Sequence, residues 1–157
     1  MKTTKIDKTC QVIASLGPIG FLPASGTWGS LIALPFVWLL VGTPWLFILA
    51  LLSFVIGVLV IRPLIENKEE KDPSFVIIDE FMGQLLVFCL LNKTSFSPVM
   101  LIFGFLFFRI FDILKPWPAS FFDKKVRTGF GVMMDDLCAA LYAMISLAFM
   151  GIMSYYL

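Results

Sequence analysis

"GFGVMMDDLCAALYAMISLAFMG", residues 129–151, sets two adjacent carboxylates, Asp135 and Asp136, at the head of a stretch that is otherwise almost purely apolar. A bare charge near the centre of a bilayer costs roughly 2.5–3.5 kcal/mol even on the lenient insertion scale. The pair therefore lies at a water boundary or holds something positive. The residues that follow, Asp135–Leu157, have the length and character of a membrane helix.

The rest of the 157-residue chain is of the same kind, with 59% hydrophobic and 15% charged residues and a mean hydropathy of +0.94. Soluble domains carry nearer about 25% charge, so this composition reads as one integral membrane domain spanning residues 1–157. The net charge of +1 and the lack of a basic stripe interleaved with aromatics give no sign of a nucleic-acid partner. Histidine is absent, which removes Ser-His-Asp triads, Cys-His pairs and phosphohistidine intermediates together. Cys10, Cys89 and Cys138 are scattered without a CxxC spacing, so neither a disulfide framework nor a zinc site is indicated. Lys2, Lys5 and Lys8 ahead of "CQVIASLGPIGFLPASG" loosely mimic a signal peptide, but Asp7, Gly17, Pro18, Gly20 and Pro23 interrupt that pattern. The segment reads instead as a short interfacial element leading into a turn.

Besides the last stretch, four hydrophobic runs stand out: Gly29–Val41, short and containing Pro35, then Pro44–Ile61, Phe75–Leu91 and Ser97–Lys115. The expected fold class is all-α, an integral membrane bundle of about four to five hydrophobic helices. Placing the N-terminus, the 62–71 loop and the 109–127 region in the cytoplasm puts eleven of the twelve Lys and Arg residues on that side and leaves only Lys93 outside. This topology has a consequence for residues far apart in sequence. Thr27 and Ser30, Asp79 and Glu80, Arg109, Asp112 and Lys115, and Asp135 and Asp136 all arrive at one membrane face. Buried singly, the six charges of Asp79, Glu80, Arg109, Asp112, Asp135 and Asp136 at about 3 kcal/mol each would cost about 18 kcal/mol, more than the net stability of a typical domain. They must pair, hydrate or bind an ion, and a shared polar site at the cytoplasmic face satisfies all three.

The available donors are hard oxygens, which favour Mg2+ or Mn2+ over zinc or copper. Arg109, Asp112 and Lys115 recur at helical spacing along one face. Arg109 can fork onto a phosphate, while Lys115 supplies a mobile point charge. "SGTWGS", residues 25–30, gathers the Thr27 and Ser30 hydroxyls at a helix start, where a phosphate is favoured. Each element has a plainer reading in isolation: the aspartate pair as an N-cap, Arg109 and Asp112 as a structural ion pair, and "ENKEEK" as a solvated charge run. Lys124, Lys125 and Arg127 read best as contacts to anionic headgroups. Convergence of several pairs on one face favours the shared site.

Four blocks in order, "GTWGSLIALP", "IIDEFMG", "FRIFDILKPWP" and "GFGVMMDDLCAA", make the chain resemble the phosphatidylglycerophosphatase A family from about Leu16 to Ala143. The resemblance implies a multi-pass enzyme of the bacterial inner (cytoplasmic) membrane with its active site facing the cytoplasm. The implied reaction is Mg2+-dependent hydrolysis of the phospholipid phosphatidylglycerophosphate to phosphatidylglycerol and inorganic phosphate. The family's acidic positions fall on Asp79, Glu80, Asp112, Asp135 and Asp136, and its basic ones on Arg109 and Lys115. In that scheme Asp79, Asp135 and Asp136 hold Mg2+, with Glu80 as a further ligand or water-orienting base. Arg109 and Lys115 neutralise the phosphate oxygens, Thr27 and Ser30 support them, and Asp112 orients a cation or activates water. Two positions depart from the family pattern: Ser25 precedes Gly26-Thr27 where proline is usual, and Ala140 stands where glycine is usual. Two other classes use similar acidic clusters, a membrane cation transporter and a CDP-alcohol type lipid phosphotransferase. The crowding of carboxylates at one end argues against the first, and the missing signature argues against the second.

Overall fold

The computed structural model describes residues 5–65 and 73–156, and every regular element among them is helical. In chain order these are α1 (Lys5–Ala14), a short 3-10 turn (Ile19–Phe21), α2 (Ser25–Leu40), α3 (Pro44–Ile65), α4 (Ile78–Leu86), α5 (Pro98–Leu114), α6 (Ala119–Lys125) and α7 (Gly129–Tyr156). The all-α expectation holds. Two helices, Pro44–Ile65 and Gly129–Met153, are long and apolar enough to cross a membrane, and α2 is a shorter apolar helix. The run "ENKEEK", expected to be solvated, lies outside the described residues.

Local chemistry explains most boundaries. Pro44 opens α3 at a position where its missing N–H is not needed. The Ser97 hydroxyl accepts the Met100 amide at 3.2 Å and Pro98 follows it, so α5 is capped where the run Ser97–Lys115 begins. At its other end Lys115 takes a left-handed conformation, φ 44°, and the helix stops before Pro116.

Two expectations need correction. The run Phe75–Leu91 is not one long span: α4 covers only nine residues, and tight turns follow it, with Phe88 N–H bonding Leu85 O and Cys89 N–H bonding Leu86 O. Seven of its nine residues are buried, so α4 is a central pillar surrounded by protein on nearly all sides. Apolar content alone does not separate such a helix from a membrane span. Its entry is fixed by α1, where the Ala14 carbonyl accepts the Ile77 amide at 3.0 Å.

The second correction concerns the opening motif. Asp135 and Asp136 do not begin α7, which starts six residues earlier at Gly129. Thr128 caps it, its hydroxyl oxygen accepting the Gly131 amide at 3.2 Å and its carbonyl accepting that of Val132. The glycines serve close approach: a Cβ on Gly129 would stand 2.7 Å from the Val58 carbonyl oxygen, and one on Gly131 would stand 2.0 Å from that of Val126. The aspartates consequently sit nearly two turns into α7, buried at 5% and 3% exposure rather than at its lip.

Helix α7 packs against α3, α4, α5 and α6, and α4 packs against α2, α3 and α7. The N-terminal ends of α2, α4 and α7 therefore meet the C-terminal ends of α3 and α5. Asp79, Glu80, Arg109, Asp112, Lys115, Asp135 and Asp136 lie at that end, while the outer faces expose Leu39, Leu52, Leu59, Ile102, Ile145 and Phe149 among many apolar side chains.

Candidate active site

Helix α4 supplies Asp79 and Glu80 in its first turn, where the positive end of the helix dipole favours carboxylates. Helix α7 brings Asp136 to them. Gly83 permits this approach, because a Cβ there would meet the Phe108 ring at 2.6 Å and the Asp136 carbonyl oxygen at 3.3 Å. Oxygens from Asp79, Glu80 and Asp136 all lie within 4.8 Å of one another. Two unit charges at such a distance repel by about 3–4 kcal/mol at an effective dielectric of about 20. Asp79 Oδ1 and Asp136 Oδ2 are buried without a hydrogen-bond partner. Orphaned buried carboxylate oxygens facing like charges fit a hard divalent cation, and the donors are all oxygen, as Mg2+ requires.

Asp135 lies outside this trio. Its Oδ2 accepts from Lys115 Nζ at 2.7 Å, and its Oδ1 accepts the Asp136 amide at 2.9 Å. Adjacent residues on a helix point about 100° apart, so the doublet is divided between two partners. Lys115 also reaches Asp123 Oδ1 of α6 at 2.9 Å. Burial works against its ammonium, but the Asp135 and Asp123 carboxylates outweigh that and push its pKa above the usual lysine value. Lys115 therefore stays protonated through the neutral range, tied between two acids.

Arg109 and Asp112 pair at 2.7 Å, one turn apart on α5. Arg109 Nη1 also donates to the Ser30 hydroxyl at 3.4 Å, and Ser30 donates to the Gly26 carbonyl at 3.1 Å. Gly26 is the hinge of this arrangement: a Cβ there would stand 2.1 Å from Glu80 Oε1 and 3.3 Å from Arg109 Nη1. The backbone of α2 thus touches the acidic trio and the guanidinium at once. Thr27 sits half-buried beside it in the first turn of α2, its amide bonded to the Ala24 carbonyl at 2.9 Å. The Ser25 hydroxyl, at the position where the family pattern has proline, donates to the Ser74 carbonyl and ties α2 to the segment entering α4.

Two polar residues escaped the sequence reading. Asp123 is the second anchor of Lys115, hidden in a run whose lysines suggested only headgroup contact. Gln84 is fully buried one turn beyond Glu80, with neither end of its carboxamide hydrogen-bonded. The signal for Gln84 was present: a lone amide four residues after Glu80 in an otherwise apolar helix.

This assembly of blocks has known counterparts. The family model for phosphatidylglycerophosphatase A matches residues 12–151. The chain belongs to the phosphatidylglycerophosphatase A family. Phosphatidylglycerophosphatase A of Haemophilus influenzae is 37% identical over 126 residues, covering 78% of this chain and 76% of its own. Phosphatidylglycerophosphatase A of Escherichia coli is 34% identical over 128 residues, covering 80% and 73%. A Bacteroides thetaiotaomicron protein provisionally named phosphatidylinositol-3-phosphatase is 34% identical over 140 residues, covering 82% and 85%. No solved structure matches the chain. Membership in the phosphatidylglycerophosphatase A family makes the chain a lipid phosphatase by class.

Proposed function

We propose that the chain is a Mg2+-dependent phosphatidylglycerophosphatase of the bacterial inner membrane, multi-pass, with its site facing the cytoplasm. The observation that carries this reading is the buried Asp79–Glu80–Asp136 trio beside Arg109, within a chain of this family. Asp79, Glu80 and Asp136 would hold the ion, which supplies Lewis-acid polarisation of the phosphoryl group and charge compensation when bound. Arg109, steadied by Asp112 and Ser30, offers its remaining N–H groups to the phosphoryl oxygens. Water adds its oxygen to phosphorus, the bond from phosphorus to the glycerol oxygen breaks, and that oxygen leaves with a proton. Glu80, the least buried of the trio, is placed to accept the proton of the attacking water. Lys115, held by Asp123 and Asp135, orients the start of α7 and with it Asp136. This assigns Asp135 a positioning role rather than a ligand role. The acyl chains remain in the leaflet against the exposed apolar faces.

A transport reading is less favoured, because Asp79 and Glu80 lie in the first turn of α4 and Asp136 within the first two turns of α7, at one end of the bundle rather than midway along a path.

The test is phosphate release from phosphatidylglycerophosphate by purified protein in detergent with Mg2+. Asp79→Asn and Asp136→Asn are each expected to lower the rate by about 10²–10³-fold while the protein still extracts folded. Full activity in both variants, or in excess chelator, overturns the assignment.

A further inference from the structure

Gln84 is a buried polar residue that the proposed chemistry leaves without a task. Its side chain is fully buried, and neither Oε1 nor Nε2 has a hydrogen-bond partner. A primary carboxamide offers two N–H donors and an acceptor oxygen. Burying them unmet is costly, whereas an apolar side chain of similar shape carries no such penalty. Methionine or leucine would serve the packing of α4 better. Stability alone does not account for an amide at this position.

The geometry of α4 points to the group that the amide serves. A Cβ on Gly26 would collide with the Glu80 carboxylate, and one on Gly29 would stand 3.4 Å from Glu80 Cβ. The face of α4 that carries Glu80 is therefore turned to α2, whereas the face that carries Gly83 is turned to Phe108 and to Asp136 of α7. Gln84 follows Glu80 by four residues, which puts it on the same face about 6 Å further along the axis. The buried residues of α2 give it little to bond. Gly29, Ala33 and Val37 have no polar side chain, and the Ser30 hydroxyl already donates to the Gly26 carbonyl and accepts from Arg109. Glu80 is within reach, because Cβ atoms four residues apart on a helix are about 5–6 Å apart, a gap that two long side chains close between them.

The ligand role proposed for Glu80 gives that pairing a use. A carboxylate that holds a cation is itself oriented by hydrogen bonds from neighbouring side chains, and losing such a partner typically weakens metal binding by about 10–100-fold. Being neutral, the amide adds a donor without adding a charge that would repel the ion.

We infer that Gln84 is a positioning residue whose carboxamide N–H donates to the Glu80 carboxylate when the Asp79–Glu80–Asp136 site holds its divalent cation, an inference that rests on the reading of that trio as the ion site. The test follows Mg2+ binding as a rise in the Tm of detergent-purified protein, which needs no turnover. The unmodified protein should show the rise. Gln84→Met should match or exceed the unmodified Tm without Mg2+, yet need about tenfold or more Mg2+ for the same rise. At saturating Mg2+ its kcat for phosphatidylglycerophosphate should fall by roughly tenfold with KM little changed, a split that a packing role would not give. Gln84→Leu should behave alike, and it carries the test if Gln84→Met does not extract folded. An unchanged Mg2+ requirement, an unchanged kcat, or a lower Tm without Mg2+ in both variants overturns the positioning role and leaves the ion site standing. No rise in the unmodified protein overturns the ion site itself, and this role with it.

Discussion

Asp135 and Asp136 are chemically identical neighbours with different partners, and that difference is open to measurement. Asp136 belongs to the trio with orphaned oxygens, whereas Asp135 is spent on Lys115. Adding Mg2+ at about 100 times its dissociation constant should stabilise the folded protein by about 2.7 kcal/mol, seen as a rise in Tm in detergent. Asp136→Asn should abolish that rise. Asp135→Asn should keep it and lower kcat instead. A Mg2+ response lost equally in both variants would return Asp135 to the metal. Asp123 belongs to the same logic one step further out. Asp123→Asn leaves Lys115 with a single acidic partner, so kcat should fall by roughly tenfold with KM little changed. Asp123→Glu should restore much of it. A purely structural role would not show that rescue.

At the scale of elements, glycine spacing sets how closely the helices approach. Gly57 and Gly129 both lie at the α3–α7 contact, but an added methyl group would meet different obstacles. At Gly57 it would meet the flexible Met133 side chain, with Sδ at 2.3 Å. At Gly129 it would meet backbone, the Val58 carbonyl oxygen at 2.7 Å and the Arg62 nitrogen at 3.0 Å. A methionine can move aside, and alanine gains about 0.8–1.0 kcal/mol in helix propensity over glycine, so Gly57→Ala should be close to neutral. A helix backbone cannot move without shifting its whole element, so Gly129→Ala should cost about 1–3 kcal/mol. Thermal unfolding in one detergent compares the two directly. Equal Tm values would mean that the α3–α7 contact is looser than described.

For the molecule as a whole, the polar end and the apolar belt predict an orientation. Lys93 lies between α4 and α5, and Lys124 lies in α6 beside Lys115 and its acids. In intact cells bearing single-cysteine variants on a background without the native cysteines, Lys93→Cys should label with a membrane-impermeant thiol reagent. Lys124→Cys should label only after the membrane is opened. The reverse pattern would place the site outside the cytoplasm and remove the inner-leaflet reading.

Composition, the absence of histidine and the four ordered blocks were enough to announce a helical membrane phosphatase, because these depend on residue chemistry and on short-range spacing. The caps of α5 were legible for the same reason: Ser97, Pro98, Lys115 and Pro116 act on their own backbone. The length of α4 was not legible, since a helix buried in protein and one buried in lipid call for the same apolar residues. Nor was the start of α7, where Gly129 and Gly131 carry the helix on past a neighbouring backbone ahead of the aspartates. Above all, the sequence could list the acids without saying which would lie together and which would hold a lysine. That choice depends on helix rotation and on contacts between residues dozens of positions apart, and only packing in three dimensions supplies it.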